Sequence, residues 1–573
     1  MSRQRRPTRA SLIWASAHEP AAQAYRSREQ GESVSVAATA MPETATPELA
    51  RSELAKQEQT GRPAAARAPR MRPRPSARTA GAGASQRMSR QTARAVVAEA
   101  AGGRAPGPNG LHPLTDRDGN ARLHRYEDRV KTAFDRIVPV LKQISALQHE
   151  SDFEQHAQSI ARAELGFDLP EYMLADAWVT QLDLRRLFAW CVFENYRRMA
   201  EDFFANDPLG GREVHAFDRF LQDCGFHQLD VTPCADGRLA HAISYVLRLP
   251  FGAVRRKPYA GGLFDVENTV SKWGEVELGR FREGVPNTAD APTRYLKTVI
   301  YHYSSVDPHH QGCAAHGSND AAAAQAALDR LLAFRQSVEN GFCCGASVAL
   351  LLIGMDTDTD AIRVHVPDGE GRMDLTQSVD AIKVYAITRD LEPTAARARV
   401  AELVKAHAPA TADPGMLRLV ARLIENNLSQ IDYVRQVHGG RYADAGHAER
   451  FVGVGIGFEE IQLRNLTYFA YLYTVEEGAA DLDVGRKIFG GLNVSRGLPI
   501  PIVIRFDYHG GVPGARERAT TRCRRLDAAL AGRFADLDDR GLLHRLLVVR
   551  DSDAGTGIEV VGCSLTAPTA GGH

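Results

Sequence analysis

From about residue 123 apolar side chains return every three or four positions. Val130, Phe134, Ile137, Val138, Leu141 and Ile144 share one stripe, the spacing of an amphipathic helix. A second helical run, 184–204, has a broad apolar face of Leu187, Trp190, Cys191, Phe193, Tyr196 and Phe203, with Cys191 read as ordinary core. After a third helix at 213–223 the pattern changes. Positions 228–232 and 296–302 read as strands, 321–339 as a helix that Ser318 or Asn319 can cap, and 347–353 as a buried strand. Strand, crossover helix and strand predict a parallel sheet, in which ligands gather at the carboxyl ends of the strands. Asp356-Thr-Asp-Thr-Asp360 is read as a hairpin turn between 350–354 and 362–366. As a calcium loop it would have Ala361 where glycine is needed and Pro367 where glutamate is needed.

The order strand, helix, strand, turn, strand returns near the end, at 500–506, 516–534, 546–553 and 558–561. Leu351-Leu-Ile-Gly-Met-Asp-Thr-Asp358 matches Leu546-Leu-Val-Val-Arg-Asp-Ser-Asp553, and Val299-Ile-Tyr-His302 matches Val503-Ile-Arg-Phe506. Residues 1–110 show no apolar periodicity and are rich in Ala, Arg, Pro, Ser and Thr, so they cannot bury enough surface to offset ordering entropy. The expected fold class is α/β. A disordered basic tail at 1–110 precedes a small all-α domain at 111–210, an α/β domain carrying the site at 211–449, and an α/β pseudo-repeat at 450–573.

Composition adds a polarity. The formal net charge is zero, yet residues 1–110 hold 17 Arg and 1 Lys against 8 Glu. With Trp14 and Tyr25 as its only aromatic rings, the tail is a poor stacking platform for single-stranded nucleic acid, and a protein partner is expected instead. No run of eighteen apolar residues occurs, so no membrane span is expected. The start, Arg5-Arg6-Pro-Thr-Arg9 before an eight-residue apolar run, imitates a secretion signal only by chance. Eight cysteines in 573 residues are too sparse for a disulfide framework, which favours a reducing cytosol.

The chemistry concentrates in two stretches. Val231-Thr-Pro-Cys234-Ala-Asp236-Gly-Arg238 sets a thiol, a carboxylate and a guanidinium at alternate positions after a strand; His302 ends another strand, and Cys313 follows eleven residues on. Two thiolates and an imidazole suit zinc and leave a fourth tetrahedral position open for water. Asp236 can accept a proton from that water, and Arg238 can hold Asp236 ionised through a bidentate pair. A structural zinc in a catalytically silent scaffold would need a fourth ligand, such as His316 or Asp236 itself. A zinc deaminase would pair His-x-Glu with Pro-Cys-x-x-Cys; His447-Ala-Glu449 supplies the first piece, and the second is absent from the sequence. Adjacent Cys343 and Cys344 are read as a buried strand entry, and His438-Gly-Gly-Arg441 as a weak anion-pocket candidate.

Cys-x-Asp-x-Arg followed by a strand-end His and a Cys resembles the signature of β-class carbonic anhydrases. Thr232-Pro-Cys-Ala-Asp-Gly-Arg-Leu239, Arg282-Glu-Gly-Val-Pro-Asn-Thr-Ala-Asp290, Gly312-Cys-Ala-Ala-His-Gly-Ser-Asn319 and Asp356-Thr-Asp-Thr-Asp-Ala-Ile-Arg363 resemble the carboxysomal shell branch, over about 115–573. The resemblance implies Zn2+ on Cys234, His302 and Cys313, an Asp236–Arg238 dyad, and reversible hydration of CO2 to bicarbonate that supplies Rubisco. His310-Gln-Gly-Cys313 fits the common His-x-x-Cys spacing and is the alternative ligand; the carboxysomal branch has an insertion there, and strand geometry also points to His302. The resemblance further implies a homodimer within a carboxysome, a pseudo-repeat without zinc ligands, and recruitment through the tail to a cargo or scaffold protein such as Rubisco.

Overall fold

The computed structural model of the chain describes residues 110–565, apart from 176, 209–213, 251, 283–292, 342–347, 445, 473, 475–477 and 556. The expected tail, the Cys343–Cys344 pair and the 283–290 stretch lie outside the described residues.

The first apolar stripe is divided between two helices, α1 (Arg117–Asp135) and α2 (Ile137–Ala146). The break at Arg136 brings Pro139 into the first turn of α2, where its missing N–H costs no helical hydrogen bond. Asp116 caps α1 by accepting from Gly119 N. α3 (Phe153–Glu164) follows, and then α4 (Leu184–Asn206), whose amino end is capped by the Asp183 carboxylate. These helices do not close a core of their own. Val130, Phe134, Tyr196 and Phe203 share one buried cluster with Phe451, Phe458, Phe469, Val503, Leu546 and Val548, from the carboxyl-terminal sheet and its loops.

After α5 (Val214–Asp223) comes β1 (Phe226–Pro233), then β2 (Val254–Arg256), α6 (Val266–Arg282) and β3 (Arg294–Tyr303). α7 (Asp320–Gly341) crosses to β4 (Val348–Asp356), and Asn319 Oδ1 accepts from Ala322 N at its start. β5 (Ile362–His365) returns antiparallel to β4, as the hairpin reading requires, and β6 (Val379–Asp380) closes the order β2-β1-β3-β4-β5-β6. β1, β2, β3 and β4 are mutually parallel. The helix α8 (Pro414–Val437) ends at His438, so the His438-Gly-Gly-Arg441 stretch is a helix terminus.

The second sheet is built from β7 (Phe451–Ile456), β8 (Thr467–Tyr471), β9 (Ile500–Tyr508), β10 (Leu543–Asp551) and β11 (Glu559–Cys563). Its order β8-β7-β9-β10-β11 and its strand senses, four parallel and the last antiparallel, repeat those of β2-β1-β3-β4-β5. The crossover helix α9 (Ala515–Arg533) takes the place of α7.

Register corrects one detail of the sequence match. Tyr303 pairs with Asp356, Thr357 N donates to Tyr303 O, and the Asp356 carboxylate accepts from Ser305 N and Asp358 N. In the second sheet Tyr508 pairs with Asp551, Ser552 N donates to Tyr508 O, and the Asp551 carboxylate accepts from Gly510 N and Asp553 N. Tyr303 thus corresponds to Tyr508, and His302 corresponds to Asp507, not to Phe506. A one-residue slip turns every side chain of a strand to the other face. Phe506 instead points into the apolar cluster that contains Cys523 of α9. On the face that carries His302 in the first sheet, the second carries Arg505 and Asp507, joined by Nε–Oδ1 and Nη2–Oδ2 hydrogen bonds of 2.6 and 2.9 Å. Arg505 also donates to Glu460 Oε1 at 2.6 Å, and the guanidinium is fully buried.

Candidate metal centre

Parallel pairing of β1 and β3 delivers the site residues together. Pro233 pairs with Ile300, and Cys234 N donates to Ile300 O, so the loop leaving β1 lies beside the carboxyl end of β3. Cys234, His302 and Cys313 are all buried, and their ligand atoms lie within 4.8 Å of one another. His310 is placed elsewhere, in an exposed turn where its Nδ1 meets Asp307 Oδ1 at 2.9 Å.

Several observations bear on whether this set fits a cation. His302 is fully buried, and neither ring nitrogen has a hydrogen-bond partner among the described residues. Orphaned buried polar atoms are costly, and coordination to a metal would satisfy one of them. The hydrogen bond between the two thiols lowers Cys313 and, with burial, raises Cys234 well above its usual range. Gly261 N donates to Cys234 Sγ at 3.2 Å, and backbone N–H groups near Ala315 and His316 donate to Cys313. Such donors favour thiolate, the ligating form. Gly261 takes φ +66°, and a Cβ there would meet His316 Nε2 at 2.8 Å, so the N–H···S contact depends on glycine. Cys₂His with a free position is a zinc donor set, and these residues fit one.

Asp236 and Arg238 form a bidentate pair, with Arg238 Nε to Oδ1 at 3.0 Å and Nη2 to Oδ2 at 2.7 Å. Asp236 Oδ1 also accepts from Arg238 N at 2.9 Å and caps the short helical turn Gly237–Leu239. Arg238 continues to Gln311 O and Gly312 O, which ties the carboxylate to the turn bearing Cys313. Burial opposes the charge on Asp236, yet Arg238, His447 and His302 together hold its carboxyl well below the usual range. Its Oδ2 lies 3.6 Å from His302 Nε2, beside the three candidate metal ligands.

Two further residues at this site, His447 and Glu449, belong to the His-x-Glu piece whose deaminase counterpart is absent from the sequence. His447 Nε2 lies 3.9 Å from Asp236 Oδ2, and His447 Nδ1 meets Glu449 Oε1 at 2.9 Å. Glu449 Oε1 accepts from Gly237 N at 3.2 Å and fills the space where a Cβ on Gly237 would stand. Their signal was the i, i+2 spacing of an imidazole and a carboxylate just before β7, and the two side chains meet. The second sheet reaches the loop as well, because Asn465 N donates to Gly237 O and Phe469 N to Ala235 O.

Comparisons with known proteins follow the same divisions. Residues 112–204, 216–447 and 448–565 match the family models described as Carboxysome Shell Carbonic Anhydrase, N-terminal, catalytic domain and C-terminal. The chain is 60% identical over 463 residues to the carboxysome shell carbonic anhydrase of Prochlorococcus marinus (strain MIT 9313), covering 80% of this chain and 90% of that protein. It is 59% identical over 472 residues to that of Parasynechococcus marenigrum (strain WH8102), covering 82% of each. With that of Halothiobacillus neapolitanus (strain ATCC 23641 / c2) it shares 48% identity over 461 residues, 78% of this chain and 90% of that protein.

Proposed function

The chain belongs to the carboxysome shell carbonic anhydrase family and is a carboxysomal carbonic anhydrase, and from that premise we propose that it interconverts CO2 and bicarbonate at one zinc site per chain and so supplies Rubisco. The observation that carries the site assignment is the buried Cys234–His302–Cys313 cluster beside the Asp236–Arg238 pair. Zinc held by those three residues supplies the Lewis acidity that makes water a nucleophile near neutral pH. Asp236 accepts one proton of the attacking water in a hydrogen bond, which leaves a lone pair directed at carbon. Arg238 keeps Asp236 ionised and fixes its rotamer through two parallel hydrogen bonds.

The second sheet is read as a metal-free copy of the first, taking the place that a second like subunit takes in ordinary β-class enzymes. There the guanidinium of Arg505 is paired with Asp507 and with Glu460 Oε1. Two such chains would form a homodimer. Asp236→Asn tests the mechanism: it should keep stoichiometric zinc and lose about 100-fold or more in turnover, because an amide can donate where the carboxylate only accepts. Near-normal CO2 hydration in that variant would remove Asp236 from the reaction.

Residues 1–110, with ten net positive charges, are assigned to recruitment by an acidic surface of a carboxysome cargo or scaffold protein, through basic stretches such as 3–9 and 67–78. A 1–110 fragment should capture such a partner, and capture should weaken as salt rises past physiological strength, where the Debye length is about 8 Å. The 111–573 core should stay active without it. Salt-independent capture, or capture by the core alone, would sink this assignment.

A further inference from the structure

The second unit also reaches the first from the helix Ala479–Leu492, at a point away from the Asp236–Arg238 pair. Asp481 Oδ1 in that helix accepts from Ala260 N at 2.8 Å, across 221 residues of chain. Ala260 opens the short helical turn Ala260–Gly262, and the next N–H of the turn, Gly261 N, donates to Cys234 Sγ at 3.2 Å. Tyr259, just before the turn, is bridged to Cys234, and its carbonyl accepts from Ala235 N at 2.9 Å. The turn is therefore tied to the loop leaving β1 on one side and to Asp481 on the other.

Asp481 is itself held in place. It is 7% exposed, and its backbone carbonyl accepts from the Tyr468 hydroxyl at 2.7 Å. Tyr468 stands among the site groups: burial, and with it the charges of Asp481, Cys234, Asp236 and Glu449, pushes its phenol well above the ordinary range. Burial likewise pushes the Asp481 carboxyl up to about 6, and the hydrogen bond from Ala260 N acts against that shift. At neutral pH it is a carboxylate, an acceptor only. An acid in the first turn of a helix is favoured by the helix dipole, but that benefit is available at the surface and does not require burial. Burial of a charge is costly unless a partner in the fold needs it there.

We propose that Asp481 is a positioning residue for the metal centre: by accepting from Ala260 N it fixes the turn that aims Gly261 N–H at Cys234 Sγ, and so sets the donor strength of that thiolate. The proposal rests on the site reading above. Gly261 takes φ +66°, and glycine moves readily between conformations, so neighbours must fix the direction of its N–H. An N–H···S hydrogen bond draws charge from the sulfur and favours thiolate over thiol. The second unit thus acts on the metal centre without supplying a ligand.

The test uses the full chain, loaded with zinc for affinity and with Co2+ for the thiolate-to-metal charge-transfer band, whose energy reports the donor strength of the sulfur. Asp481→Ala should weaken zinc binding about tenfold, the low end of the cost of removing groups that orient a ligand. Its Co2+ band should move to longer wavelength, as expected of a thiolate that has lost a hydrogen bond. Asp481→Asn keeps an oxygen for Ala260 N, so affinity should stay within about threefold and the band should not move. Asp483→Ala, on the same helix but paired near the surface with Arg533, should change neither. A band that stays put in Asp481→Ala would overturn the proposal, as would one that moves as far in Asp481→Asn or in Asp483→Ala. Should Asp481→Ala fail to fold, Asp481→Ser decides in its place, because its hydroxyl keeps a polar group in the first turn yet stops an atom short of Ala260 N. An unmutated enzyme with no thiolate-to-cobalt band would instead count against the site reading.

Discussion

Zinc content should fall from one ion per chain to nearly none, and CO2 hydration with it, in each of Cys234→Ser, His302→Ala and Cys313→Ser. Three ligands leave no redundancy, and each of these residues is buried in the cluster. Groups that only orient a metal ligand cost about 10–100-fold when removed, so loss of a ligand itself should exceed about 100-fold. Metal analysis of the purified variants, paired with stopped-flow hydration rates, checks the prediction. His310→Ala should retain both zinc and rate. If it loses them while His302→Ala keeps them, the strand-end assignment is wrong.

Removal of residues 450–573 should leave an insoluble or inactive remainder. The second sheet and its loops provide Phe451, Phe458, Phe469, Val503, Leu546 and Val548 to the cluster that buries the amino-terminal helices. At about 1.5–3 kcal/mol for each large apolar side chain, exposing their partners removes an amount comparable to the roughly 5–15 kcal/mol that keeps a domain folded. The same truncation deletes the Asn465 and Phe469 hydrogen bonds to Gly237 and Ala235, so the loop bearing Asp236 loses its support. Soluble yield, zinc content and hydration rate of a 1–449 chain measure the effect. A soluble, fully active truncation would defeat the view that the second sheet completes the first.

The elements that were legible in the sequence were those set by local period and turn chemistry. The crossover β3–α7–β4, the Asp356 turn and the second strand–helix–strand unit all follow from spacing within about 60 residues. Cys234, Asp236 and Arg238 could be read because one loop carries all three. His447 and Glu449 could not be placed, since they reach Asp236 and Gly237 respectively from far along the chain, a separation of 212 residues for Glu449, and only the fold closes that distance. The stripe from Val130 to Ile144 hid a break at Arg136 because α1 and α2 bury their apolar faces in the same cluster. The match of His302 to Phe506 failed by one position. Apolar residues on both faces of β9 make the two registers look alike as letters, and only the turn hydrogen bonds around Asp356 and Asp551 tell them apart.

Arg505, locked between Asp507 and Glu460, gives the two sheets different vulnerabilities. A guanidinium is tied to the chain by covalent bonds, so no chelator can extract it and no competing ion can replace it. On the zinc assignment proposed above, metal starvation would strip the first sheet's site and spare the second sheet. The spared half, with the helices packed on it, would remain a template on which the emptied cluster could be refilled once zinc returned.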